Sequence, residues 1–233
     1  MTLTPTFTPD CRLAVLASGA GSTLQAVAHA CSAGLLSARI TLVISNNRDA
    51  GALHIAHHLG LPHLHLSGKT HPDNGPAVLS IGGADEAQPT APTPTTGDAL
   101  DFAMLQALRQ SGAHIVVLAG YMKKVGPRVL AAFQGRIINT HPALLPLFGG
   151  DGMYGLRVHE AVLAAGAAVS GATIHHVTAG YDEGGILAQA QVPVLAGDSA
   201  QSLATRVQAA EKTLLIQTLQ DLVKPVGLPE AKP

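Results

Sequence analysis

The clearest indication of the fold is the stretch Leu13-Ala14-Val15-Leu16-Ala17 followed by Ser18-Gly19-Ala20-Gly21-Ser22-Thr23-Leu24-Gln25. The apolar run is typical of a buried strand, the two glycines mark a tight turn, and a helical pattern begins at Thr23. A turn in this order presents backbone N–H groups and the positive end of a helix to an anion. The stretch therefore predicts the first strand–helix unit of a parallel sheet, with a phosphate site at its turn.

The glycine turn fits a monophosphate better than either common nucleotide motif. A dinucleotide fingerprint requires a third glycine where Leu24 stands and an acidic residue about 20 positions later. The next predicted strand ends instead in Ser45-Asn46-Asn47. A Walker loop requires a Lys followed by Ser or Thr after the glycines, and that pair is missing from this position.

A second motif, Asn139-Thr140-His141-Pro142, follows the apolar segment Arg136–Ile138. Side chains two positions apart on an extended segment point the same way, so Asn139 and His141 can reach one atom together. An amide donor and an imidazole suit a developing oxyanion and a proton transfer. Taken alone, the motif also fits an ordinary strand end that is closed by a turn.

A third motif, Tyr181-Asp182-Glu183-Gly184-Gly185, follows the predicted strand Thr173–Val177. The two glycines allow a tight turn that holds one carboxylate in place, although a surface turn with solvated acids has the same pattern. Asp182 is the candidate partner of His141. We expect its charge to raise the pKa of His141, so that the imidazole is protonated near neutral pH.

The rest of the chain alternates predicted strands and helices. This alternation predicts an α/β fold, a mostly parallel twisted sheet of about seven strands with helices on both faces and the site at one sheet edge. The predicted strands are Leu13–Ser18, Ile40–Ser45, Pro62–Leu66, Ile115–Leu118, Arg136–Asn139, Ala168–Val177 and Ile186–Val192. The predicted helices are Thr23–Ala33, Ala50–Leu59, Leu100–Gln110, Pro127–Phe133, Gly155–Ala165 and Ser199–Leu222.

Composition narrows the class of protein. The chain has 233 residues, 47% of them hydrophobic, which is enough apolar material for a sizeable core. A net charge of −1 favours neither nucleic acid nor an anionic membrane as a partner. Cys11 and Cys31 are too few for a disulfide framework, and no apolar run approaches the ~20 residues of a membrane span. We expect a cytoplasmic protein without a membrane or nucleic-acid partner.

Changes in composition along the sequence predict two terminal segments and one domain. Residues 1–11 and 223–233 are predicted to be flexible ends, and residues 12–222 a single domain. Within this domain, residues 68–97 are rich in Pro, Thr and Gly and predict a long loop insertion.

Five histidines fall close together between the first and second motifs, namely His54, His57, His58, His63 and His65. Their spacing on a helix and the following strand makes a metal site conceivable. They lie apart from the three motifs and lack a neighbouring Cys or acidic pair, so we predict that the chain has no metal site.

The three motifs together, in this order, resemble those of the glycinamide ribonucleotide formyltransferases. Ser18–Gln25 is the counterpart of the family pattern S-G-x-G-S-N-L-Q, Asn139–Pro146 of N-x-H-P-S-L-L-P, and Asp182–Gly184 of D-x-G. The resemblance covers roughly residues 12–222. It implies formyl transfer from the co-substrate 10-formyltetrahydrofolate to the amine of glycinamide ribonucleotide, without a metal. A monomer and a homodimer both stay open.

The resemblance also assigns roles to residues. Asn139, His141 and Asp182 are implied to be catalytic, and His175, rather than His176, is implied to face the site beside them. The substrate phosphate and ribose are assigned to Gly19, Ala20, Gly21, Ser22, Thr23, Gln208 and Glu211. The folate is assigned to Met122, Lys123, Lys124, Val125, Thr178, Ala179, Gly180, Tyr181 and Asp182.

The chain departs from the family pattern at several places. Thr23 replaces the usual Asn, Gly97 stands where many members place an arginine near the folate, and Gly149-Gly150-Asp151-Gly152 replaces a commoner Pro-Gly. Two alternatives to this function stay open. One is a related enzyme, either a formyltetrahydrofolate hydrolase or another N-formyltransferase, and the other is a non-catalytic nucleotide-binding protein.

Overall fold

A computed structural model of the chain describes residues 11–68 and 99–223. Seven strands alternate with six helices in this part of the chain. The strands are β1 (Cys11–Leu16), β2 (Ala38–Ser45), β3 (His63–His65), β4 (Ile115–Leu118), β5 (Ile137–His141), β6 (Val169–His176) and β7 (Ile186–Pro193). The helices are α1 (Ser22–Ser32), α2 (Gly51–His58), α3 (Ala99–Gln110), α4 (Pro127–Ala132), α5 (Leu156–Ala164) and α6 (Ala200–Val223).

The seven strands form one sheet in the order β3-β2-β1-β4-β5-β6-β7. Strands β1 to β5 pair in parallel, whereas β6 runs antiparallel to both β5 and β7. The predicted fold class, a mostly parallel sheet of about seven strands, is therefore confirmed.

Helices cover both faces of the sheet, as the apolar β1 requires. Leu13 and Val15 contribute to one core with residues of α1, α2, α5 and α6. Ala14 and Leu16 contribute to a second core with residues of α3 and α4. Because alternate side chains of a strand point to opposite faces, a strand that is buried on both sides reads as a continuous apolar run.

Element ends differ from the sequence prediction by one or two residues. The difference that matters is in β5, which ends at His141 instead of Asn139, so both polar side chains lie within the strand. Most of the predicted insertion, residues 69–97, lies outside the described residues, as do Gly97, residues 1–10 and residues 224–233.

The strand order reverses between β1 and β4, and the loops after these two strands therefore diverge to form a crevice. Ser18 holds the two loops together. Its backbone N–H donates to Gly120 O at 3.1 Å, and its hydroxyl accepts a hydrogen bond from Met122 N at 2.8 Å. The same hydroxyl donates to the side-chain oxygen of Asn46, which follows β2. One small residue thus connects the carboxyl ends of three strands.

The start of α4 is capped by a side chain from another helix. Gly126 stands at the N-cap and has no side chain to offer. Asp101, a buried residue of α3, accepts hydrogen bonds from Arg128 N at 2.7 Å and Val129 N at 3.2 Å instead. This carboxylate satisfies donors that a helix start leaves unpaired. It also fixes α4, which leads into β5.

Within residues 11–68 and 99–223, no helix combines the length and apolar character needed to cross a membrane.

Replacing Asp101 with Ala should lower the free energy of unfolding by about 1–2 kcal/mol, because two buried N–H groups lose their acceptor. Chemical denaturation of both proteins measures this difference. Asp49→Ala, at an exposed acid, is the matched control and should change stability little. Equal small effects of the two substitutions would contradict the capping role.

Candidate active site

A cavity of about 530 Å³ opens along the crevice between the β1 and β4 loops and extends past β5 toward α6. This volume lies in the usual range for a small-molecule site. The cavity brings together every residue that the sequence predicted for the site except Ala179, which is exposed and does not line it. Residues more than 100 positions apart along the chain therefore share one space.

Successive side chains of β5 point to opposite faces of the sheet, so its polar residues have different roles. Asn139 and His141 point to the side where the turn between β6 and β7 lies, and both line the cavity. Thr140, between them, is buried and donates its hydroxyl hydrogen to Glu211 Oε1 at 3.0 Å. The strand thus presents two reactive groups while Thr140 joins it to α6.

His141 has a fixed ring orientation. Its Nε2 lies 2.8 Å from Phe148 O, and since a carbonyl can only accept, Nε2 carries a hydrogen. Its Nδ1 lies 3.4 Å from Asp182 Oδ2. In the neutral ring, Nδ1 therefore holds the lone pair, and a proton gained there would face the Asp182 carboxylate. Nδ1 is the proton-accepting atom of this imidazole.

The expected direction of the His141 pKa shift is wrong. Burial lowers the pKa of His141 and outweighs Asp182 and the Phe148 carbonyl, both of which raise it. The His175 ring lowers it slightly further. His141 is 3% exposed, so the loss of water costs the imidazolium more than one carboxylate at 3.4 Å returns. The free site therefore holds a neutral His141 near neutral pH.

His175 orients the amide of Asn139. The two residues are direct partners in the β5–β6 register. His175 Nδ1 donates to His176 O at 2.9 Å, which leaves Nε2 as an acceptor for Asn139 Nδ2 at 3.1 Å. One amide N–H is then used, and the second stays available to the cavity. The histidine that faces the site beside Asn139 is therefore His175, rather than His176.

Asp182 lies between the two imidazoles. Its Oδ1 is 3.5 Å from His175 Nε2, and its Oδ2 accepts a hydrogen bond from Gly150 N at 3.0 Å. Burial would raise the pKa of Asp182, but the contacts with His175, His141 and Gly150 together lower it. Its backbone has φ of 55°, a left-handed conformation that Asp tolerates better than most residues. The carboxylate is therefore ionised and fixed.

The loop after β5 contributes backbone groups that the sequence did not identify. Phe148 O and Gly150 N–H contact His141 and Asp182, and Phe148 itself has φ of 55°. A Cβ at Gly149 would collide with the Leu145 side chain and lie 3.4 Å from Asp182 Cβ. The unusual glycines of this loop were the available signal, because they permit the backbone to approach the carboxylate.

His159 of α5 is a second residue that sequence reasoning missed. It is 2% exposed, lines the cavity, and its Nδ1 has no hydrogen-bond partner in the described structure. Burial lowers its pKa, and the nearby His141 lowers it further. Its position on the buried face of a helix gave no sequence signal, because that pattern is also typical of a core histidine.

The glycine turn has the geometry of an anion site. Gly21 has φ of 82° and precedes α1, whose first turn has no side-chain cap. A Cβ at Gly21 would lie 2.6 Å from Ala52 Cα, whereas a Cβ at Gly19 would meet nothing within 4 Å. Gly21 is therefore required by packing against α2, and Gly19 leaves open space in front of the turn.

Another part of the cavity wall is partly apolar. Lys124 Nζ lies 5.0 Å from the centre of the Tyr181 ring, a cation–π contact between two cavity-lining loops. Tyr181 and Met122 are about half exposed, at 47% and 51%. These exposed apolar groups beside a charged side chain suit a flat ligand with an anionic tail.

Glu211 and Gln208, one helical turn apart on α6, line the wall next to the glycine turn. Glu211 is 8% exposed, and burial raises its pKa despite the Thr140 hydrogen bond and the charge of Lys212. These groups offer polar contacts to a hydroxylated ligand.

The five histidines between the first and second motifs do not line this cavity. His57 has ring centroids 6.0 Å from His58 and 5.7 Å from His63 in edge-on contacts. Over the described ranges, no set of three or more His, Cys, Asp or Glu side chains is arranged to hold a metal ion.

The arrangement supplies the elements of acyl transfer. Asn139 offers an N–H donor to an oxyanion, His141 Nδ1 offers a lone pair to a proton, and Asp182 stabilises the resulting imidazolium. The glycine turn and the partly apolar wall line the same cavity and offer surfaces for two different ligands.

Comparison with known proteins agrees with this chemistry. The family model described as "Formyl transferase" matches residues 11–219. The chain is 37% identical over 209 residues to the chloroplastic phosphoribosylglycinamide formyltransferase of Arabidopsis thaliana, covering 89% of this chain. It spans only 64% of that protein's length.

A bacterial relative and a solved structure match more of their own length. The phosphoribosylglycinamide formyltransferase of Mycobacterium tuberculosis is 36% identical over 211 residues, which cover 91% of this chain and 84% of that protein. The glycinamide ribonucleotide transformylase 1 of Symbiobacterium toebii superposes with a TM-score of 0.78 at 35% identity, covering 93% of this chain and 89% of that one. The chain belongs to the formyl transferase family.

Proposed function

We propose that this protein transfers a formyl group from 10-formyltetrahydrofolate to the amine of glycinamide ribonucleotide, in purine biosynthesis. The observation that carries the proposal is the convergence of Asn139, His141 and Asp182 in the cavity that also contains the glycine turn. Relatives that match most of the chain are named for this reaction. The substrates, 10-formyltetrahydrofolate as co-substrate and the nucleotide, are small molecules, and no metal takes part.

The reaction needs no protein nucleophile. The substrate amine attacks the formyl carbon, and the carbonyl oxygen becomes an oxyanion that the free N–H of Asn139 stabilises. The amine proton passes, directly or through water, to Nδ1 of His141, and the imidazolium gains the Asp182 carboxylate as its partner. Collapse of the tetrahedral intermediate breaks the bond between the formyl carbon and the folate nitrogen, and this nitrogen takes the proton from the His141 imidazolium.

Neutral His141 suits the start of this sequence. Burial lowers its pKa, so the lone pair on Nδ1 is available before the substrates react. Once the amine has attacked, the nearby oxyanion adds negative charge and favours the imidazolium. The histidine thus acts first as a base and then as a charged stabiliser of the intermediate.

The two substrates divide the cavity. The nucleotide phosphate lies against Gly19, Ala20, Gly21, Ser22 and Thr23, with Gln208 and Glu211 at the ribose. The folate lies against Met122–Val125 and Thr178–Asp182, where Lys124 and Tyr181 border the opening. The uncapped start of α1 supports the phosphate assignment. The half-exposed side chains of Met122 and Tyr181 support the folate assignment.

We infer that residues 12–222 act as one catalytic domain in the cytoplasm, as a monomer or a homodimer. The inference about compartment is supported by Cys11 and Cys31, which are both free thiols in the structure.

The decisive experiment measures formyl transfer by the purified chain with and without the nucleotide. We expect formylglycinamide ribonucleotide only when both substrates are present, and an unchanged rate with chelator. Release of formate without the nucleotide would favour a hydrolase, formylation of another amine would favour a different N-formyltransferase, and nucleotide binding without turnover would favour a sensor.

Gly19→Val should weaken nucleotide binding by about tenfold or more and leave folate affinity and stability nearly unchanged. The added side chain enters open space in front of the turn, where it blocks backbone N–H contact with a phosphate. Calorimetry with each substrate and thermal unfolding measure these effects.

Two glycines serve as controls. Gly21→Val should lower stability, because its Cβ meets the Ala52 backbone. Gly68→Val adds a side chain in open space outside the cavity and should change neither property. Loss of folate affinity equal to the loss of nucleotide affinity in Gly19→Val would refute the assignment of the turn.

Asp182→Asn should preserve the fold and reduce turnover by roughly a hundredfold or more, since the imidazolium loses its charge partner. Asp182 raises the pKa of His141 against the larger effect of burial. Removing that charge should lower the pKa further, so the acidic limb of the kcat/KM profile should move to lower pH.

An NMR titration of His141 in both proteins tests the coupling directly. Asp49→Asn, at an exposed acid, is the matched control and should leave both the titration and turnover unchanged. A His141 pKa in Asp182→Asn equal to or above that of the parent would show that the carboxylate does not act through this ring.

A further inference from the structure

The start of α5 is a second helix N-terminus in the wall of the cavity. Gly155 and Leu156, the residues at that start, both line the cavity. Gly155 stands at the N-cap, and among the described residues no side chain caps the first N–H groups of the helix. A Cβ added to Gly155 would meet nothing in the described structure within 4 Å, so the space in front of the helix is open. This end of α5 can therefore donate hydrogen bonds to a ligand oxygen.

His159, the fourth residue of the same helix, is independent evidence for a ligand here. It is 2% exposed and lines the cavity, and its Nδ1 is buried without a hydrogen-bond partner in the described part of the chain. A buried polar atom without a partner costs free energy unless a ligand or water supplies one. Neither the oxyanion contact nor the proton transfer at His141 uses this imidazole.

The burial of Nδ1 indicates which nitrogen of His159 meets a ligand. A hydrogen on Nδ1 would be a buried donor without an acceptor, which is costlier than a lone pair in the same place. The hydrogen of the neutral ring therefore belongs on Nε2, the nitrogen left to face the cavity. Burial lowers the pKa of His159, so the ring is neutral near neutral pH and donates one hydrogen bond.

The packing of α5 places His159 in the nucleotide half of the cavity. Val162 of α5 shares a core with Leu203 and Val207 of α6, so the two helices lie side by side. Helix α6 also carries Gln208, which lines the cavity and is assigned to the ribose. The residues assigned to the folate lie instead on the loops after β4 and β6.

His159 also lies near the reacting end of the nucleotide. A charge on His141 lowers the pKa of His159, so the two rings interact electrostatically. The loop that leads into α5 begins at the same centre, because Phe148 O contacts His141 and Gly150 N–H contacts Asp182. In the proposed reaction the substrate amine lies at His141 and the ribose lies at α6. Between these two groups the nucleotide carries one oxygen, that of its amide carbonyl.

We propose that His159 Nε2 and the free N–H groups at the start of α5 bind the amide carbonyl oxygen of the nucleotide and so position its amine for attack. The inference rests on the proposed function, because it takes glycinamide ribonucleotide as the substrate. A neutral imidazole donor suits a carbonyl oxygen, which carries no full charge. Holding the carbonyl next to the amine restricts the positions that the amine can adopt, and this orientation favours the reaction.

Calorimetry with glycinamide ribonucleotide and with ribose 5-phosphate, which lacks the glycinamide group, tests the proposal. His159→Leu removes both ring nitrogens and keeps an apolar side chain. It should weaken the binding of glycinamide ribonucleotide by about tenfold, because a hydrogen bond is lost. The affinities for ribose 5-phosphate and for the folate should not change. Thermal unfolding should show that the variant is at least as stable as the parent, since the buried Nδ1 without a partner is gone.

Two further variants serve as controls. Ser170→Ala also removes a buried side-chain atom that has no partner in the described structure, but Ser170 does not line the cavity, so all three affinities should stay unchanged. His159→Gln keeps an N–H donor and should bind glycinamide ribonucleotide within about threefold of the parent. The kcat/KM for the nucleotide should fall in the same order as the affinities, while the KM for the folate stays constant.

An unchanged affinity of folded His159→Leu for glycinamide ribonucleotide would overturn the proposal. An equal loss of affinity for ribose 5-phosphate would also overturn it, because the contact would then belong to the ribose or the phosphate. A loss of folate affinity alone would do the same, since it would place His159 in the folate half. A parent that binds glycinamide ribonucleotide without formylating it would contradict the proposed function only, because the affinity comparison needs no turnover.

Discussion

The antiparallel pairing of β5 with β6 is the constraint on which the site depends. It sets Asn139 directly opposite His175, so that the imidazole accepts one amide N–H and leaves the other for a ligand. Strand β6 is followed by β7, which runs antiparallel to it, and antiparallel strands can be joined by a short turn. That turn carries Asp182 to both imidazoles.

Electrostatics at this centre are decided by burial more than by charge pairing. His141 has an ionised carboxylate at 3.4 Å, yet its pKa is lowered because the ring is almost completely removed from water. Asp182 shows the reverse balance, since its contacts with His175, His141 and Gly150 outweigh the cost of its burial and lower its pKa. The result is a neutral base beside a fixed anion, and charge separation is deferred until substrate supplies the proton.

Local chemistry explains why the main elements were predictable. Leu13–Ala17, the glycine turn and the alternation around β5 each carry a pattern that nearby residues alone produce. The same holds for the separation of Asn139 from Thr140 by strand alternation. Asp101 was not predictable as the cap of α4, because its partners Arg128 and Val129 lie 27 and 28 positions away.

Local patterns in the sequence were therefore enough to predict the strand–helix order, the mostly parallel sheet, and the residue types available for acyl transfer. Only the tertiary structure decided that Phe148 O and Gly150 N–H orient the His141–Asp182 pair, that His159 lies buried beside them, and that the His141 pKa falls. The physical reason is that strand patterns depend on neighbours in the chain. Solvation and hydrogen-bond partners depend on distant segments that meet only in the fold.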